Sequence, residues 1–113
     1  MALDTLVTQM RKGALEYCVL ALLTAEPRYS FEIVRRLGEV DGMLTSEGTM
    51  YPLLGRLRRD GLVQSVWKES TSGPPRRYYR LTAEGQRSLR AFRDEWITFR
   101  TAVDSILGTG AKN

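Results

Sequence analysis

The 113-residue sequence contains no histidine and a single cysteine, Cys18. No intrachain disulfide can form, which fits a reducing compartment. The commonest soft-metal cages and any histidine-activated nucleophile are excluded as well, so neither a metal nor a cofactor is expected. Nothing in the spacing of Asp and Glu suggests a carboxylate pair, and no catalytic residue, hence no enzyme, is expected. Long apolar runs are also missing. The longest, Val19-Leu20-Ala21-Leu22-Leu23, falls far short of the roughly 18–20 residues that span a bilayer. The opening Met1-Ala2-Leu3-Asp4-Thr5 has no basic stretch leading into an apolar block, so no secretory signal is expected and the cytoplasm is the expected location.

Acid is scarce in one segment only. From Arg56 to Arg93 ten bases face three acids (Asp60, Glu69 and Glu84), a surplus of seven in a chain whose net charge is +4. Up to Gly55 the balance is reversed, with five bases against seven acids. A local surplus of this kind is either a solvated surface or the footprint of a polyanion partner. The length suits one domain with its own core.

Hydrophobic periodicity orders the chain. A first helix is expected from about Thr5 to Ala25, weakened at Gly13, with Ala14, Tyr17, Cys18, Ala21, Leu22 and Ala25 on one stripe and Val7 and Met10 upstream. Glu26-Pro27 ends it. A second helix is expected over Ser30–Leu37, capped by Ser30, with Phe31, Val34 and Leu37 inward and Gly38 as the stop. A third begins near Ser46, ends near Asp60-Gly61, and buries Met50, Leu53, Leu54 and Leu57. The period then shortens. Residues 62–67 and 77–81 read as strands around a Ser70–Pro75 loop, a β-hairpin with a basic tip. Thr82 can cap a final helix over 83–107, along which Leu89, Phe92, Trp96, Phe99, Val103 and Ile106 recur at three- and four-residue steps. That stripe is either an internal core face or a seam shared with a second copy.

Helix, helix, helix, hairpin, helix is the order of a winged helix-turn-helix, a mainly α fold of the α+β class. The same order also serves protein-docking modules without DNA binding, against which the clustered arginines of the third helix and hairpin argue. The residues carry more. Ser46-Glu47-Gly48-Thr49-Met50-Tyr51-Pro52-Leu53-Leu54, with Arg56-Leu57 and Asp60-Gly61-Leu62-Val63 following, resembles the recognition-helix signature of the PadR family of transcriptional regulators. Gly73-Pro74-Pro75-Arg76-Arg77-Tyr78-Tyr79-Arg80-Leu81-Thr82 and Gly85 are similar to that family's wing and its exit, and Gly13 to Ile33 to its beginning. With one C-terminal helix, the chain is similar to the short subfamily.

The resemblance implies a homodimer that regulates transcription by binding a palindromic operator in double-stranded DNA, with repression released by a small-molecule effector as the leading reading. Residues 1–82 would be the winged domain, with its first helix also in the dimer, 83–107 the dimerisation helix, and 108–113 a flexible tail. The seam would comprise Leu89, Phe92, Trp96, Phe99, Val103 and Ile106. In the third helix Ser46 and Thr49 either donate to DNA or cap the helix, and Tyr51 either reaches a phosphate or packs on the core. Pro52 is expected to bend the first turn toward the groove, since its ring crowds the carbonyl of Gly48. Arg56 and Arg59 are candidates for phosphate, and Arg76 and Arg77 for wing contacts. Glu47 should repel phosphate and so either orients an arginine or accepts from a cytosine amine. Trp96, matching a tryptophan near the dimer axis of related short members, either stacks on a flat aromatic effector or simply packs. Phe92, Met10, Ala14 and Tyr17 would line such a pocket, with Val7.

Overall fold

A computed structural model describes Leu6 and residues Met10 to Gly110. Helix α1 spans Leu15–Leu22, shorter than expected at both ends. Met10 and Arg11 are helical, but Gly13 takes φ +87° and breaks the helix before α1 restarts. That left-handed conformation is one only glycine adopts cheaply, so Gly13 interrupts the helix rather than merely weakening it. Thr5 and Val7 lie outside the described residues. At the other end the Arg28 Nε donates to the free carbonyl of Leu22 at 2.8 Å, which stops the helix three residues before Ala25.

Strand β1, Arg28–Tyr29, was not expected from so short a segment. Helix α2 covers Ser30–Gly38 with Tyr29 as its N-cap, and the Tyr29 N–H donates to Glu32 Oε1 at 3.2 Å. Ser30 is therefore the first helical residue, not the cap. Its hydroxyl, nearly buried, donates instead to Glu47 Oε1 at 3.2 Å and ties α2 to the next helix. Ile33 and Leu37 form the buried face of α2. Phe31, expected inward, is 51% exposed and lies beside the Tyr29 ring.

Helix α3 spans Glu47–Arg59 and runs unbroken through Pro52. Met50, Leu53, Leu54 and Leu57 are its buried residues. Asp60 caps its end and Gly61, at φ +76°, turns the chain into β2. Strands β2 (Val63–Ser70) and β3 (Gly73–Leu81) form a longer hairpin than the sequence suggested, closed by Thr71-Ser72. Pro74 and Pro75 thus sit inside β3, near the hairpin end where the ladder is already irregular between Lys68 and Ser70. Proline is tolerated there because few ladder hydrogen bonds are at stake. The sheet order is β1-β3-β2, antiparallel throughout.

Helix α4 spans Ala83–Leu107, capped by the Thr82 hydroxyl, which accepts from the Gly85 N–H at 3.0 Å, and ended by Gly108 at φ +73°. Its start is wedged against the turn after α3. The core gathers Val19, Leu20 and Leu23 with Ile33 and Leu37, the four α3 residues, Val63, Tyr79 and Leu89. Tyr17, Cys18, Ala21 and Leu22, expected to form the buried stripe of the first helix, are only partly buried, and Ala25 is exposed. Leu89, expected in the seam, is instead buried in this chain's own core, because the first two turns of α4 still lie over the domain. Among the described residues no helix is long and apolar enough to cross a membrane.

Candidate functional site

Two surfaces differ in chemistry. The first is formed by α3 and the hairpin. Ser46 Oγ accepts from the Thr49 N–H at 3.2 Å and lies 3.3 Å from Thr49 Oγ1, so Ser46 is a cap and its hydroxyl is already engaged. Both residues are exposed at the helix N-terminus, where the backbone dipole adds partial positive charge. Tyr51 is 57% exposed, so packing on the core does not occupy its ring. Pro52 is exposed beside it. Lacking an N–H, Pro52 leaves the Gly48 carbonyl without its helical donor. Glu47 spends its carboxylate on Ser30 rather than on an arginine.

The arginines divide. Arg59 is exposed. Arg56, one turn earlier, donates from Nη2 to Glu16 Oε2 of α1 at 2.9 Å, an ion pair across forty residues of sequence. The pair is solvent-exposed, so Glu16 holds the guanidinium only weakly and competes for it with any other anion. On the hairpin, Arg76 lies over the Tyr29 ring and Arg77 over the Trp67 ring, with Cζ–centroid distances of 4.6 and 4.9 Å. A cleft between α3 and the hairpin is lined by Ser30, Tyr51, Trp67, Pro75, Arg76 and Arg77 among others. Trp67 was not among the expected site residues. Its strand alternation with Val63 and Ser65 and its place directly opposite Arg77 were the signals available.

The second surface lies along α4. Phe92 stacks on Tyr17 of α1 with ring centroids 4.2 Å apart and planes within 6°. Phe92 then stacks on Trp96 at 5.6 Å, and Trp96 lies 6.2 Å from Phe99. A groove of about 900 Å³ runs over this row, lined by Met10, Ala14, Phe92, Trp96, Phe99 and Val103 among others. Tyr17 backs it through Phe92 without lining it. Beyond Leu89 the stripe loses its cover: Trp96 is 37% exposed, Phe99 62% and Ile106 85%, with Val103 partly buried. Burial pushes the Cys18 thiol above its ordinary pKa, so it is a packing group rather than a ready nucleophile.

A three-helix core with a capped, hydroxyl-bearing third helix, a basic hairpin behind it and a long helix returning over the domain define a winged helix-turn-helix regulator. Comparison narrows the class. Residues 19–91 match the model of the transcriptional regulator PadR-like family, and the chain belongs to that family. It is 45% identical to a PadR-like transcription factor from Bacteroides fragilis, covering 91% of this chain and 99% of that one at a TM-score of 0.74. It is 36% identical to a PadR-like regulator from Bacillus cereus, with 91% and 99% covered and a TM-score of 0.79. A PadR family regulator from Eggerthella lenta is also 36% identical, with 95% and 93% covered and a TM-score of 0.81. Proteins of this family are DNA-binding regulators of transcription, not enzymes.

Proposed function

We propose that this chain is a cytoplasmic homodimeric repressor that binds a palindromic operator and is released by a small, flat aromatic effector. Residues 1–82 act as the DNA-binding unit and 83–107 as the dimerisation helix. The observation that carries this is the exposed aromatic row of α4. Phe92, Trp96, Phe99, Val103 and Ile106 leave a continuous apolar face open on a protomer whose core is otherwise closed. Such a face is stable in water only when covered, and a second α4 covers it with like surface. Pairing sets two α3 helices at a fixed distance, as reading two half-sites one turn of DNA apart requires.

Within each half-site Thr49 and Tyr51 approach base edges and phosphates, Ser46 and Pro52 shape the helix start, and Arg59, Arg76 and Arg77 meet phosphates. The groove over Phe92 and Trp96 takes the effector, with Met10 and Ala14 at its edge. Stacking on Trp96 gives a flat ring most of its contact area. The effector releases DNA only by binding more tightly to a dimer whose reading heads are misplaced for the operator. The test combines three measurements: sedimentation of the parent at micromolar concentration, mobility shift of the parent on its own promoter fragment against random duplex at two salt concentrations, and Trp96 emission of a Trp67→Phe variant during titration with planar aromatics. A monomer with no preference for the promoter fragment refutes the proposal. A promoter-binding dimer whose emission ignores every planar aromatic refutes the effector alone.

A further inference from the structure

Every cation in the outer half of the hairpin lies on an aromatic ring. Lys68 Nζ sits 4.8 Å from the Tyr78 centroid, Arg76 over Tyr29 and Arg77 over Trp67. Register explains the placement. Trp67 is paired directly with Arg77, and Lys68 with Arg76, so the two pairs fall on opposite faces of the ribbon. Two like charges directly opposed, as in Lys68 and Arg76, destabilise a strand pair unless something else holds them. Tyrosine rings hold them here. Among the described residues, the ion pairs present involve Arg28, Arg36, Arg56 and Arg87, and none of the three hairpin cations meets a carboxylate.

The choice of partner has a consequence. A carboxylate fixes a cation and cancels its charge. A ring fixes it and leaves the charge whole. The Arg77 Nε is buried with no acceptor among the described residues, so the Trp67 ring is the contact that holds the guanidinium. Trp67 itself is 62% exposed and contributes little to the core.

We propose that Trp67 is a positioning residue. It holds the Arg77 guanidinium in place, fully charged, before DNA arrives, so that docking a phosphate costs little side-chain entropy. Tyr29 does the same for Arg76. The proposal rests on the wing being a DNA contact, and the experiment separates the two. Operator affinity is measured as a function of salt for the parent, Trp67→Leu, Trp67→Phe, Arg77→Gln and the double variant Trp67→Leu/Arg77→Gln, each with its fold checked by circular dichroism. Arg77→Gln is expected to flatten the slope of log K against log salt by about 0.9, the signature of one lost phosphate contact. Trp67→Leu is expected to weaken binding roughly two- to tenfold with the slope unchanged, because the charge remains and only its order is lost. Trp67→Phe restores most of the affinity. In the Arg77→Gln background Trp67→Leu has no further effect. If Trp67→Leu weakens binding equally in both backgrounds, or moves the slope, Trp67 acts by its own contact and the proposal is overturned. If Arg77→Gln changes neither affinity nor slope, the wing does not touch DNA and the underlying reading goes with it.

Discussion

Gly85 is the position where a single methyl group should do most damage. It is the third residue of α4, and a Cβ built there stands 2.1 Å from the Leu62 carbonyl oxygen and 3.0 Å from both Leu62 C and Leu81 Cδ2. The Leu62 backbone cannot step aside freely. Its N–H is bound to the Leu57 carbonyl at 3.0 Å, and its carbonyl accepts from Thr82 N at 3.2 Å. Thr82 in turn donates its hydroxyl to Gly61 O at 2.6 Å while capping Gly85. Gly85→Ala must therefore lift α4 off the turn after α3. Overpacking against backbone takes the upper end of about 1–3 kcal/mol. Weakening the Thr82 cap adds about 1 kcal/mol, and the better helix propensity of alanine returns about 1 kcal/mol. The net loss is about 3 kcal/mol, or roughly 12 °C in Tm for a chain of this size. Urea unfolding at fixed protein concentration measures it, so that any association between copies contributes equally to parent and variant. Gly73→Ala is the control, because a Cβ there meets nothing within 4 Å, and it should stay within about 0.5 kcal/mol of the parent. A Gly85→Ala protein within 1 kcal/mol of the parent would show that the close approach is not what holds α4 to the domain.

Three further expectations follow from the same geometry. Arg56→Gln should flatten the salt slope of operator binding less than Arg59→Gln, which should flatten it by about 0.9, since Glu16 competes with phosphate for the Arg56 guanidinium; equal slopes for both variants would show that the Glu16 pair does not hold Arg56 back from DNA. Phe99→Asp puts an unpaired carboxylate into the proposed seam, and sedimentation should show the dimer weakened on the order of a hundredfold, about 3 kcal/mol; an intact dimer would locate the interface elsewhere. Cys18, its pKa raised by burial, should react with a thiol reagent at pH 8 more slowly than the urea-unfolded chain and faster as pH climbs, while labelling at the unfolded rate would contradict its placement.

Much of the fold was readable because it rests on local rules. The α3 stripe of Met50, Leu53, Leu54 and Leu57, the Thr82 cap and the Ala83–Leu107 helix all follow from period, capping chemistry and a glycine stop. The site was less legible. Ser30 looks like a cap in sequence, yet it is the first residue of a helix and its hydroxyl serves Glu47, seventeen residues away. Phe31 fits an inward stripe, but the face of α2 that meets the core is set by where α3 lies.

What the sequence by itself determined was the order of the elements, the basic middle segment, and the family likeness of helix and wing. These depend on interactions spanning a few residues, or on composition, and need no knowledge of what lies opposite. Tertiary structure alone decided which partner each cation meets. Arg56 pairs with Glu16 on another helix, while Arg77 lies on Trp67 across a strand pair. It also decided where the aromatic row leaves the core, between Leu89 and Trp96. Partners distant in sequence are chosen by packing, and no periodicity along a single segment encodes them.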